Sequence, residues 1–153
     1  MPDPMTDRPL HLEAALKENG VLYYTTVGDS MAPLLKTHRN TVVLRTPTEE
    51  VKRGDVILFH RPGGAYVLHR VIRVTNEGYE TRGDNRRHSD RFVPKDCLLA
   101  VMDGYYKKKR FISPTRFSYR LYVRVWGMPN PLRRLCLFTR DALRRLVGKP
   151  SKG

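Results

Sequence analysis

Acidic residues are nearly missing from one end of this sequence. Residues 105–153 hold 14 Lys+Arg against the single Asp141, a balance of +13, whereas residues 1–104 hold 15 against 14, a balance of +1. A near-neutral body with a strongly basic tail implies an anionic partner for the tail, either a membrane surface or nucleic acid. Cysteine is scarce too: Cys97 and Cys136 are too few for a disulfide framework and lack metal-ligand spacing. Two buried thiols are expected, with no metal and no cofactor. Long hydrophobic runs are absent: nothing approaches the ~18 to 20 apolar residues that span a bilayer. The start, Met1 to Arg8, is polar and proline-bearing, unlike a secretory signal. The chain is therefore expected to be soluble or peripherally attached to a membrane, and cytoplasmic.

With 153 residues there is room for one domain with a modest core, not for two. His11 to Asn19 is rich in helix formers, carries Leu12, Ala15 and Leu16 on one side and ends at Gly20, which predicts a short amphipathic helix with a glycine C-cap. Val21 to Val27 is β-branched and aromatic and reads as a strand, as do Thr41 to Arg45, Val56 to His60, Tyr66 to Val74 and Tyr79 to Arg82. Met31 to Lys36 reads as a helical turn or a loop. Arg61 to Gly64 and Asn76 to Gly78 supply turns, and Phe92 to Lys95 and Leu98 to Met102 read as closing strands. Short strands about ten residues apart, separated by glycine turns, predict a mainly β fold, a small antiparallel barrel or coiled sheet.

The expected organisation is an N-terminal helical segment (1–20), a β domain (21–104) and a basic amphipathic tail (105–153). Lys107 to Arg110 is a charge run at the boundary. Phe117 to Trp126 fits both a strand and a helix, and periodicity does not decide it. Beyond Pro131, Leu132, Leu135, Cys136, Leu143, Leu146 and Val147 recur at three and four while arginines lie mainly elsewhere, as in a basic amphipathic helix.

Three stretches carry chemistry. Val27-Gly28-Asp29-Ser30-Met31-Ala32-Pro33 is a small-residue turn leaving an apolar strand, with Ser30 at the bend. A serine hydroxyl needs a base within hydrogen-bond reach and donors for the oxyanion that acyl transfer creates. Val67 to Ile72 offers His69 on a rigid strand, where alternation puts Val67, His69 and Val71 on one face. Arg82-Gly83-Asp84-Asn85, with Asp90 six residues after Asp84, offers two carboxylates. Taken from the residues alone, Asp84 also fits a turn-former, Ser30 an ordinary turn serine, and His88 lies near Asp90.

In this order the motifs resemble the serine-peptidase clan of type I signal peptidases and LexA-type self-cleaving repressors. Gly28-Asp29-Ser30-Met31 is similar to the repressor branch; Ser30-Met31-x-Pro33, Gly54 to Phe59, His69 to Ile72 and Arg82 to Asp90 are similar to signal peptidases. The resemblance spans roughly residues 20 to 103. It implies a peptidase fold with Ser30 as nucleophile, His69 as general base in place of the lysine of bacterial members, and Asp90 as the acid that orients His69, with Asp84 holding the loop and Met31 packing under the turn. It also implies a preference for small side chains just before the cleaved bond. Signal peptidases carry an oxyanion-stabilising serine two positions before the nucleophile; here Gly28 stands there, so its backbone N–H is the expected substitute. The partner implied is a peptide or protein substrate, such as a leader or signal peptide. The alternative is a catalytically weak peptide-binding or nucleic-acid-associated regulatory module on the same fold. For the tail, a solvated packing face competes with an anionic membrane surface; nucleic acid has less support because no binding module is recognisable.

Overall fold

The computed structural model describes residues 8–61, 64–90 and 92–127, together with Leu135, Phe138, Thr139, Ala142 and Leu143. The chain is mainly β. Helix α1 (Arg8–Asn19) leads into β1 (Val21–Thr25), β2 (Asn40–Arg45), β3 (Val56–His60), β4 (Tyr66–Val74), β5 (Gly78–Arg82), β6 (Val93–Pro94), β7 (Leu98–Lys107) and β8 (Arg110–Ile112), and then helix α2 (Phe117–Tyr122). All pairings are antiparallel, in the order β1-β2-β7-β3-β4-β5-β6, and β8 adds to β7.

Register shifts at Val43/Leu44, Leu58/Phe59 and Val71/Arg73 bend and twist the sheet into a half-barrel. Curling gives it two covered faces. Val56 and Leu58 join Val42, Leu44, Ala100 and Met102 in one core, and Ile57 and Phe59 join Val71, Tyr79 and Val93 in the other. That is why Val56-Ile57-Leu58-Phe59 is a continuous apolar run rather than an alternating one: β3 is buried on both sides.

Leu16 of α1 enters the first core, and Gly20, at φ 67°, returns its N–H to the Leu16 carbonyl, the C-cap expected from the sequence. Three features depart from the expectations. The run Lys107 to Arg110 is the tip of the β7–β8 hairpin, with Lys108 at φ 57°. The expected division at 104/105 falls inside β7, and Tyr105 and Tyr119 are core residues of the same body. Cys97 is half-buried rather than buried, because the short turn Lys95–Cys97 that carries it buries none of its residues. Cys136 lies outside the described residues, as do residues 1–7, the tip Pro62-Gly63 and most of the helix expected beyond Pro131. Among the described residues, no helix is long and apolar enough to cross a membrane.

Candidate active site

A cleft of about 470 Å³ opens between the end of β1 and the first half of β4, and Gly28, Ser30, Met31, His69 and Asp90 all line it. Each arrives by a separate route. Ser30 sits on the turn after β1. That turn is held from below by Met31, which is buried in the first core; burying a side chain of this size contributes about 1.5–3 kcal/mol. The Ala32 N–H donates to the Asp29 carbonyl and the Leu35 N–H to the Met31 carbonyl, each at 3.0 Å, which closes the turn. Gly28 has φ 93°, a left-handed conformation that suits glycine, and its carbonyl accepts from the Thr37 hydroxyl. Among the described residues, no carbonyl accepts from the N–H groups of Gly28 or Ser30.

His69 stands on β4 opposite Ile57 of β3, only 6% exposed, with its ring edge toward Phe59 at 6.4 Å. Its Nδ1 bonds the Asp90 carboxylate. The Thr81 hydroxyl donates to the same carboxylate at 2.9 Å, and the Asp90 N–H returns to the Thr81 carbonyl at 2.7 Å. Arg61 reaches the second oxygen. Burial would raise the Asp90 pKa, but the hydrogen bonds from His69 and Thr81 and the charges of His69 and Arg61 outweigh it, holding the carboxyl below its ordinary value. His88 lines the same cleft and is exposed; the carboxylate goes to His69.

The loop after β5 packs against both the serine turn and the histidine. The Asn85 N–H donates to the Ser30 carbonyl at 2.8 Å, the Asn85 amide bonds Asp29 at 3.2 Å, and Arg86 pairs with Asp29 at 3.0 Å. Gly83 lies between the partners: a Cβ there would stand 2.6 Å from the Ser30 carbonyl oxygen and 3.0 Å from His69 Nε2. Those two atoms are thus no further apart than the sum of the two distances, and only a residue without a side chain fits the gap.

Asp84 takes no part in the cleft. It is fully buried and forms a two-pronged pair with Arg70, Nε to Oδ1 at 2.8 Å and Nη2 to Oδ2 at 2.7 Å. The Tyr122 hydroxyl adds a third bond at 3.0 Å. Arg70 also donates to the Gly54 carbonyl at 2.7 Å and the Tyr119 hydroxyl at 3.1 Å, and its guanidinium lies 5.7 Å and 5.8 Å from the Tyr119 and Tyr122 ring centres. Burial opposes the Arg70 charge but Asp84 more than restores it, raising its pKa. Tyr66, on the cleft wall, donates to Glu13 of α1 at 2.7 Å; burial and that bond push its phenol up to about 12, so it stays neutral.

Sequence reading missed Arg61, Arg70 and Thr81. The only trace of Arg70 was a cation inside an apolar strand, the signature of a buried ion pair. No curated protein matches the chain. A family model described as Peptidase S24-like matches residues 4–102, more than half of the chain, and with the half-barrel fold it shows that the chain belongs to this LexA-like and signal-peptidase-like serine peptidase family.

Proposed function

We propose that the chain is a serine endopeptidase with Ser30 as nucleophile, His69 as general base and Asp90 as the residue that orients His69. The observation that carries this reading is the bond from His69 Nδ1 to Asp90 in a cleft that also holds Ser30. A proton on Nδ1 leaves Nε2 with a free lone pair, and the Gly83 gap turns that nitrogen toward the Ser30 turn. Ser30 Oγ attacks the peptide carbonyl while His69 Nε2 takes its proton. Collapse of the tetrahedral intermediate expels the amine, which receives the proton from His69, and leaves an ester on Ser30. Water then attacks that ester with His69 again as base, releasing the acid and freeing the serine. The uncommitted N–H groups of Gly28 and Ser30 suit the oxyanion.

The substrate is an extended peptide. Among the described residues β1 ends the sheet, so its outer edge suits pairing with an added strand. Tyr24 of β1, and Thr26 and Val27 just after it, line the cleft together with Tyr66, Val67 and Leu68 of β4. The test is intact-mass spectrometry after treatment with a serine-acylating probe. Stoichiometric adduct on the parent chain, absent from folded Ser30→Ala and His69→Ala, is the expected result. No adduct with several chemically distinct probes would turn the reading to a peptide-binding module, which Gly28 favours because it offers no oxyanion hydroxyl.

A further inference from the structure

Helix α2 and the π-helical turn Val123–Gly127 that continues it have two apolar faces. One is docked: Tyr119 is in the core, Tyr122 and Val123 pack against it, and Arg70 and Asp84 fasten both tyrosines. The other meets solvent. Phe117, Leu121 and Val125 repeat every four residues and are 79%, 50% and 45% exposed. At 100° per residue Phe117 and Leu121 fall about 40° apart, on the side away from Tyr119 and Tyr122, and Val125 follows on the wider π-helical turn. Arg120 and Arg124, both exposed, run beside this row. Further along, Leu135, Phe138 and Leu143 have helical backbone and are 59%, 64% and 60% exposed.

We propose that this outer face is a docking surface for an anionic lipid bilayer. A row of large apolar side chains beside arginines matches the layered boundary of such a membrane. Phe117 and Leu121 would enter the acyl edge, while Arg120 and Arg124 would reach up to the lipid phosphates. The charge is complementary: the +13 carried from residue 105 onward is drawn to an anionic leaflet. The same charge opposes pairing with a second copy. Phosphate backbones of nucleic acid would satisfy the arginines but give the apolar row nothing to bury against. The inference does not depend on catalysis, so it stands or falls apart from the peptidase reading.

The experiment is co-sedimentation of the full chain with vesicles of phosphatidylserine and phosphatidylcholine, against phosphatidylcholine alone. The parent chain should bind the mixed vesicles and leave the neutral ones. Phe117→Ser/Leu121→Ser and, separately, Arg120→Glu/Arg124→Glu should each weaken binding by about tenfold or more. All four positions are exposed, so unchanged circular dichroism melts are expected to accompany the loss. Failure of the parent chain to bind mixed vesicles would overturn the proposal. So would full binding by the serine variant, which would mean diffuse electrostatics rather than this face. Displacement from vesicles by a short RNA or DNA duplex that the serine variant binds undiminished would overturn it in favour of nucleic acid.

Discussion

Asp84 and Asp90 share one loop but meet different cations, and substitution should separate their roles. Asp90→Asn keeps the shape but no longer holds the His69 ring with a charge, so acylation of Ser30 by a mass-tagged probe should slow by about 10²- to 10⁴-fold. Asp84→Asn should instead weaken the fold, by about 3–5 kcal/mol in denaturant unfolding, because the fully buried Arg70 would keep its charge without its counterion. Acid should act through Asp90 in a defined direction. Its carboxyl is held below the ordinary value in the folded chain, so its contribution to stability is complete above about pH 4, the unfolded value, and fades as the pH falls through the folded one. The gap in unfolding free energy between the parent chain and Asp90→Asn should therefore narrow from pH 5 toward pH 2 in urea titrations. A gap that widens over that interval would contradict the observed bonding. From sequence, both acids were visible by spacing alone; their separate partners were not, because Arg70 and Arg61 are brought to them by strand pairing that local pattern does not encode.

At the scale of elements, the loop after β5 is a spacer whose dimensions matter. A Cβ on Gly83 would press on the Ser30 carbonyl oxygen, a backbone atom, as well as on His69 Nε2. Gly83→Ala should thus push the serine turn and the ring apart and lower the acylation rate by about 10²-fold, while Asp90, bonded through Thr81, stays in place. Stopped-time mass spectrometry would measure the rate, and a melt near that of the parent chain would attribute the loss to geometry. The strands β1 to β5 were legible because apolar runs are punctuated by glycine turns at Gly20, Gly54 and Gly64 and by the bend Asn76-Glu77 just before Gly78 opens β5. β8 was not. Its hairpin turns through Lys108 in a left-handed conformation that sequence reading assigns to glycine or asparagine, so four cations hid a turn. α2 was undecided because Phe117 to Val125 alternates and also fits a helix; the buried Arg70 and Asp84 select the helix by binding Tyr119 and Tyr122 on one side of it.

The whole molecule joins its basic end to its body more tightly than charge alone suggests. Composition divides the chain at residue 104, where the balance changes from +1 to +13. Packing ignores that division. Tyr105 and Tyr119 help fill the first core, β8 pairs with Tyr105 to Lys107 at the end of β7, and the Tyr119 hydroxyl completes the buried Arg70 cluster that steadies the loop behind Ser30. A chain ending at residue 104 would lose both tyrosines. Removing a buried aromatic side chain costs about 3–5 kcal/mol, and two such losses rival the 5–15 kcal/mol that holds a typical domain together. That fragment should be unfolded or aggregated by circular dichroism and gel filtration, although it contains the whole family-matched segment, residues 4–102. A chain ending at Gly127 keeps α2 and should melt cooperatively near the parent temperature. If the fragment ending at 104 instead melts like the parent, the bonds that Tyr119 and Tyr122 make with Arg70 and Asp84 are dispensable and α2 is an appendage to a self-sufficient β body.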